Sequence, residues 1–187
     1  MRWWVSLSVA LLSGSWVLGA TVPEVSAQLQ AAYPGVQFYT LGRQLVQLHG
    51  ADFGYGRSPE EAADAFVQTY GEVFGVGAGE LQPGNAFNGR FTQPVMYDAA
   101  TGTYKFTLVY YRQYKDGIPV YDADLRLLVK NEAGCPLVLA NANLFDLRSL
   151  PVPARAGAAV AEGAPHAAAA AFEPGLLEFG DVELMVW

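Results

Sequence analysis

Few side chains in this chain of 187 residues have the type and spacing to do chemistry. Asp122 and Asp124 are two apart, so on a strand they share a face, and paired carboxylates could bind calcium or do acid–base work. No further oxygen ligands follow at the spacing of a calcium loop, so the pair reads as a solvent-facing strand edge. His49 and His166 lie in separate segments. Two histidines exclude a zinc site built on three, although carboxylates could substitute. His-Glu-x-x-His, Cys-x-x-Cys, a phosphate-binding loop and Gly-x-Ser-x-Gly are all absent. His49 ends an apolar run and His166 lies in the first turn of a helix, and both read as solvated. Cys135 could be a nucleophile or form an intermolecular bridge. Within Gly134-Cys135-Pro136, with no histidine nearby, it reads as a small apolar residue beside a turn. Tyr104, Phe106, Tyr110, Tyr111, Tyr114 and Tyr121 could make a sugar platform, but residues of this kind more often pair across strands to fill one sheet face. No catalytic, metal-ligating or cofactor-binding residue is assigned.

Composition sets the frame for these residues. Apolar residues make up 52% of the chain and charged residues 16%, enough for a packed core and against global disorder. The net charge of −7 argues against nucleic acid or an anionic membrane surface as the main partner. A single cysteine excludes an internal disulfide framework. Residues 1–20 join a positive Arg2 to an uncharged apolar run, and small residues at Gly19 and Ala20 offer a cleavage region. This is the pattern of a secretory signal peptide; the run is short for a membrane span and has no basic cluster beside it. The expected location is secreted or periplasmic, with no stable membrane insertion once the signal is removed.

The elements follow from periodicity and punctuation. Thr21 to Ala32 places Val25, Leu29 and Ala32 on one helical face before Pro34-Gly35. Val36 to Thr40 and Gln44 to His49 read as strands joined by a turn at Leu41-Gly42-Arg43. Ser58-Pro59-Glu60-Glu61 is a helix start: Ser58 can cap, Pro59 fits the first position, and Glu61 completes a capping box. The two glutamates need no catalytic role, because both favour the positive helix end. Ala62, Phe66, Val67, Tyr70, Val73 and Phe74 then make an apolar stripe ended by Gly75 and Gly77. Leu81 to Pro94, with Pro, Gly and Asn, reads as a loop. Tyr104 to Tyr114, Ile118 to Lys130 and Leu137 to Phe145 read as an antiparallel meander turning at Asp116-Gly117 and at Asn131 to Gly134. The implied fold is α+β, a hairpin and a three-strand meander forming an antiparallel sheet with a helix packed on one face. Leu150 to Pro153 reads as a linker, an alanine-rich helix starts near Pro165, and Val182 to Trp187 reads as a strand. That last strand belongs to a longer precursor or pairs with the preceding sheet.

Gln113-Tyr114, Gly117-Ile118-Pro119-Val120-Tyr121 and Asp124-Leu125 together resemble the core signature of the fungalysin/thermolysin propeptide domain. Gly134, the helix from Ser58 to Gly75, and the hairpin through Leu41-Gly-Arg43 and Leu48-His-Gly50 match the family's other elements in order. The resemblance covers roughly residues 36–150, within a domain taken as 21–150. Residues 151–187 are similar to a linker and the start of a PepSY-type unit. The resemblance implies the pro-region of a secreted zinc metalloendopeptidase, one that assists folding of the peptidase and holds it inactive until cleaved. The partner is then a cognate catalytic domain, and zinc belongs to that domain, which this chain lacks. Gln113, Gly117, Ile118, Pro119 and Val120 are signature positions with a structural role. The alternative is a freestanding secreted module that uses the same fold to bind a peptide, an envelope protein or a glycan.

Overall fold

A computed structural model describes residues 22–77, 79–85 and 89–148; the leader with Gly19 and Ala20, His166, and the linker, helix and strand expected after Leu150 lie outside the described residues. Helix α1 (Val22–Ala32) is followed by strands β1 (Gln37–Leu41) and β2 (Gln44–His49). Then come helix α2 (Pro59–Tyr70), a 3-10 turn (Gly71–Phe74), β3 (Leu81–Pro83), β4 (Thr92–Asp98), β5 (Thr103–Lys115), β6 (Ile118–Lys130) and β7 (Leu137–Asn143). The seven strands form one antiparallel sheet in the order β1-β2-β7-β6-β5-β3, with β4 also paired to β5. The fold is α+β, an open antiparallel sheet with helix packed against it.

The start of α2 obeys its local signals. Ser58 is extended, and its side chain accepts from the Glu61 N–H at 3.2 Å. The reciprocal half of the capping box shifts by one residue: the Glu61 carboxylate takes the Arg57 N–H at 3.2 Å and the Arg57 guanidinium at 2.9 Å. The apolar stripe is continuous in sequence, but the α-helix stops at Tyr70 and its last turn is 3-10, buried through Val73 and Phe74 and closed by Gly75 in the left-handed conformation. A tighter last turn is a common way for a helix to end.

Strand β5 shows how the sheet is built. From Phe106 on, the odd positions Thr107, Val109, Tyr111 and Gln113 are buried and the even positions are half-buried. Across β6 and β7 the same face continues through Leu125, Leu127, Val129, Ala140 and Ala142. Phe66 of α2 and Phe53, from the loop before it, pack on that face with ring centroids 5.4 Å apart. Burying such rings contributes about 2–3 kcal/mol each from apolar area. The Tyr111 hydroxyl donates to Asp64 of α2, pinning the helix to the sheet by a polar contact at an otherwise apolar interface. Burial, together with the Asp64 carboxylate, pushes the Tyr111 phenol above its ordinary range, so the group stays a donor.

The segment expected as a loop over Leu81 to Pro94 is corrected. Leu81–Pro83 pairs with Tyr111–Gln113, and Thr92 already belongs to β4. Pro83, Pro94 and Gly84 disguise these strands, because they weaken any local strand signal. Pairing to the long β5 edge supplies the order that propensity does not. Gly84 donates its N–H to Tyr110 O at 3.0 Å, and a Cβ there would lie 2.4 Å from the Tyr110 ring, so no larger residue fits without displacement.

Candidate functional site: the signature hairpin, the open sheet face and the outer strand

The Asp116-Gly117 turn forms as its residues require. Asp116 has φ 51° and Gly117 φ 82°, with Lys115 opposite Ile118 and Tyr114 opposite Pro119. Both central residues are left-handed, the geometry that matches strand twist in a two-residue hairpin. Pro119 is the second residue of the return strand and is buried. β7 reaches only to the level of Asp124, so among the described strands Pro119 pairs with β5 alone.

Beyond Pro119 the ladder breaks. Arg112 pairs with Asp124 but Tyr114 with Pro119, so four β6 residues, Val120 to Ala123, oppose Gln113 alone. Asp122 sits at φ 50° within this bulge. If the β6–β7 register continued past Asp124–Asn143, Phe145 would face Asp122; the bulge removes that partner. Gln113 replaces it. Its Oε1 accepts from Phe145 N at 2.9 Å, and its Nε2 donates to Phe145 O at 2.7 Å and to Glu80 Oε2 at 3.2 Å. A fully buried side-chain amide thus stands in for a peptide group of the missing rung. Asn143 Nδ2 donates to Asp122 O at 2.5 Å, and Val120, Ala123 and Leu147 close a small second core beneath the bulge. The signature residues Gln113, Gly117, Ile118, Pro119 and Val120 therefore form one structural device.

Three readings of single residues need correction. Asp122 and Asp124 do not line a strand edge: β6 is interior to the sheet, Asp122 lies in the bulge, and Asp124 is buried against Arg126 at 2.6 Å. A charged residue was expected to seek solvent, but the guanidinium offset its desolvation. His49 ends β2 as expected, yet its Nδ1 is buried with no hydrogen-bond partner among the described residues, so the ring is not simply solvated. The aromatic residues do not share one core face. Tyr111 is core; Phe106, Tyr110 and Tyr114 point to the opposite side, half-buried, while Tyr121 is exposed in the bulge. Cys135 is half-buried against the main core, as a small apolar residue beside a turn would be.

No described helix or strand covers the face opposite α2. Val95, Tyr97, Tyr104, Phe106, Leu108, Tyr110, Leu128 and Leu139 lie on it in register, flanked by Arg112, Asp124, Arg126 and Asn141. Tyr97 and Tyr104 stack edge to face at 5.2 Å while remaining 59% and 44% exposed. A second concave region lies at the outer strand, where a cleft of about 520 Å³ runs between the start of α1, β1 and the 3-10 turn, with Arg43 and Arg148 at its rim. Sequence reasoning did not find this region, because its walls come from segments far apart in the chain. Among the described residues no group of three His, Cys, Asp or Glu side chains could hold a metal ion, and no helix is long and apolar enough to cross a membrane.

No family model, no curated protein and no solved structure matches this chain.

Proposed function

We propose that this chain acts as the pro-region of a secreted zinc metalloendopeptidase, binding the catalytic domain, holding it inactive and assisting its folding. The observation that carries the reading is the one-sided sheet. Its α2 face is a closed core, and its other face presents tyrosines and aliphatic residues within a charged rim. An aromatic-rich centre with a polar rim is the anatomy of a protein interface, and a standard interface of about 800 Å² per partner would cover this face and could occlude a cleft. The signature order of helix, hairpin and meander, with Gln113 holding the bulge, supports the family resemblance. In this reading the chain supplies no zinc ligand, the leader directs secretion, and nucleic acid is not a partner.

The test uses the mature chain and a thermolysin-like zinc endopeptidase. Stoichiometric addition should slow peptide hydrolysis and raise the yield of active peptidase on refolding from denaturant. Leu108→Asp, which places a charge at the centre of the open face, should abolish both effects while leaving the circular dichroism spectrum unchanged. No change in hydrolysis or refolding yield on adding the unaltered chain would overturn the proposal.

A further inference from the structure

The described chain leaves the sheet beside its outer strand. Asp146 and Arg148, its last charged residues, line the cleft of about 520 Å³ together with Phe38, Thr40 and Arg43. Gln44 Nε2 donates to Leu144 O, which ties that exit to the start of β2. Residues 149–187 therefore continue from the rim of this cleft.

The cleft has a charged end and an apolar end. Arg43 and Arg148 stand where β1 turns into β2; Arg148 is held by Asp146 at 2.6 Å, and Arg43 pairs with no described carboxylate. Farther along, Phe38 faces Ser26, Ala27 and Ala31 of α1, whose small side chains leave room beside it. On the other side of β1, Tyr39 and Leu41 are 54% and 69% exposed. β1 pairs with β2 alone among the described strands and contains neither proline nor charge. At the opposite end of the sheet, Pro83 and Pro94 remove donors from β3 and β4.

One segment of the same chain carries the matching order. Asp181-Val-Glu-Leu-Met-Val-Trp187 begins acidic and ends apolar. On a strand Glu183, Met185 and Trp187 share one side, and Val182, Leu184 and Val186 the other. Laid antiparallel to β1, like every pair in this sheet, the segment brings Glu183 toward Arg43, and Met185 and Trp187 toward Phe38 and the small residues of α1. Its other side sets Leu184 and Val186 beside Tyr39 and Leu41. A parallel alignment would put the two carboxylates at the apolar end and Trp187 among the arginines. Residues 149–187 hold Glu162, Glu173, Glu178, Asp181 and Glu183 against Arg155, so the whole tail is drawn toward the two guanidinium groups.

We propose that residues 182–187 of this chain add to β1 as the next strand of the sheet, with Glu183 at Arg43 and Trp187 in the α1–β1 groove. The tail closes the edge from within, so the groove takes no outside polypeptide while the tail is seated. Cutting the chain within residues 149–181 makes the contact bimolecular and weakens it through the lost effective concentration. The groove is separate from the open face, and the proposal does not rest on the pro-region reading.

Trp187 is itself the probe. Trp3, Trp4 and Trp16 lie in the leader, so the chain from Thr21 onward keeps every described residue and has Trp187 as its sole tryptophan. Its emission should be blue-shifted, and its quenching by acrylamide several-fold weaker, relative to a synthetic peptide of residues 181–187. Both differences should persist on dilution. Ala27→Glu, which puts a larger charged side chain in the groove from an exposed helix position, should return both to the peptide's values with an unchanged circular dichroism spectrum. Arg43→Glu and Glu183→Arg should each raise quenching, and the two together should restore protection. Leu108→Asp, on the open face, should leave Trp187 unchanged. Quenching equal to that of the free peptide would overturn the proposal. So would protection that Ala27→Glu leaves intact, that Leu108→Asp removes, or that dilution abolishes, the last meaning that the tail of a second copy fills the groove.

Discussion

The two faces of β5 alternate residue by residue along the same strand and yet do opposite things. Toward α2, Val109 and Tyr111 are fully packed, and the polar groups among them are satisfied: Tyr111 by Asp64, Gln113 by Phe145 and Glu80, and Thr107 by Asn131 at 2.8 Å. Away from α2, Phe106, Leu108 and Tyr110 rest beside Lys130, Leu128 and Arg126 with no layer of described residues over them. Both faces are rich in β-formers. What separates them is the helix: its apolar stripe covers only one side of the sheet.

The largest expected effect tests this asymmetry directly. Phe66→Ala, which removes a ring packed against Phe53, should cost about 3–5 kcal/mol in urea unfolding. Leu108→Ser on the open face should cost less, about 1–2 kcal/mol, since Leu108 is only partly buried. Similar costs for the two would mean that the second face is as closed as the first.

Next in size is Gln113→Leu, expected to cost about 2–3 kcal/mol by leaving the Phe145 N–H and C=O without partners near a buried position. Faster amide exchange at Phe145 would accompany it. If exchange at Phe145 were unchanged, the side-chain rung would not be what holds the chain beyond β7.

A smaller pair sharpens the account of the hairpin. Gly117→Val should cost about 1–2 kcal/mol, because a β-branched residue resists φ 82°. Pro119→Ala should cost less, about 0.5–1 kcal/mol, chiefly from the freer unfolded chain, as Pro119 gives up no ladder bond to β7. Denaturation midpoints for the two variants check the order.

The smallest effect is set by pH. The Arg148 guanidinium beside Asp146 holds that carboxyl down at about 2. A depressed folded value stabilises the fold above the unfolded carboxyl value of about 4, and the contribution is lost as pH falls toward 2. Both groups are more than half exposed, so the term is small and screened by salt. Asp146→Asn should therefore lower the urea midpoint slightly at pH 6, and the difference should vanish near pH 2 and in high salt.

Much of the fold was readable in the residues because local and tertiary preferences agree there. The Ser58 cap, the Asp116-Gly117 turn and the meander of β5, β6 and β7 form where periodicity and turn chemistry put them. β3 and the start of β4 were not readable, because proline and glycine weaken their local signal and only the neighbouring β5 edge orders them. The candidate sites were less legible. Gln113 was visible as a signature position, but its role depends on a bulge in another strand. The α1–β1 groove joins two elements through the sheet edge, and no local pattern marks it.

By itself, the sequence determined which segments are helix and strand across the meander and α2, where the turns fall, and that the chain is acidic with a single cysteine. These properties depend on neighbours within a few residues. The tertiary structure decided which side of each strand is core, that Asp124 is paired inside the sheet, and that Gln113 substitutes for a missing rung. Each of these depends on which strand lies alongside, and strand order is set by packing between segments far apart in the chain.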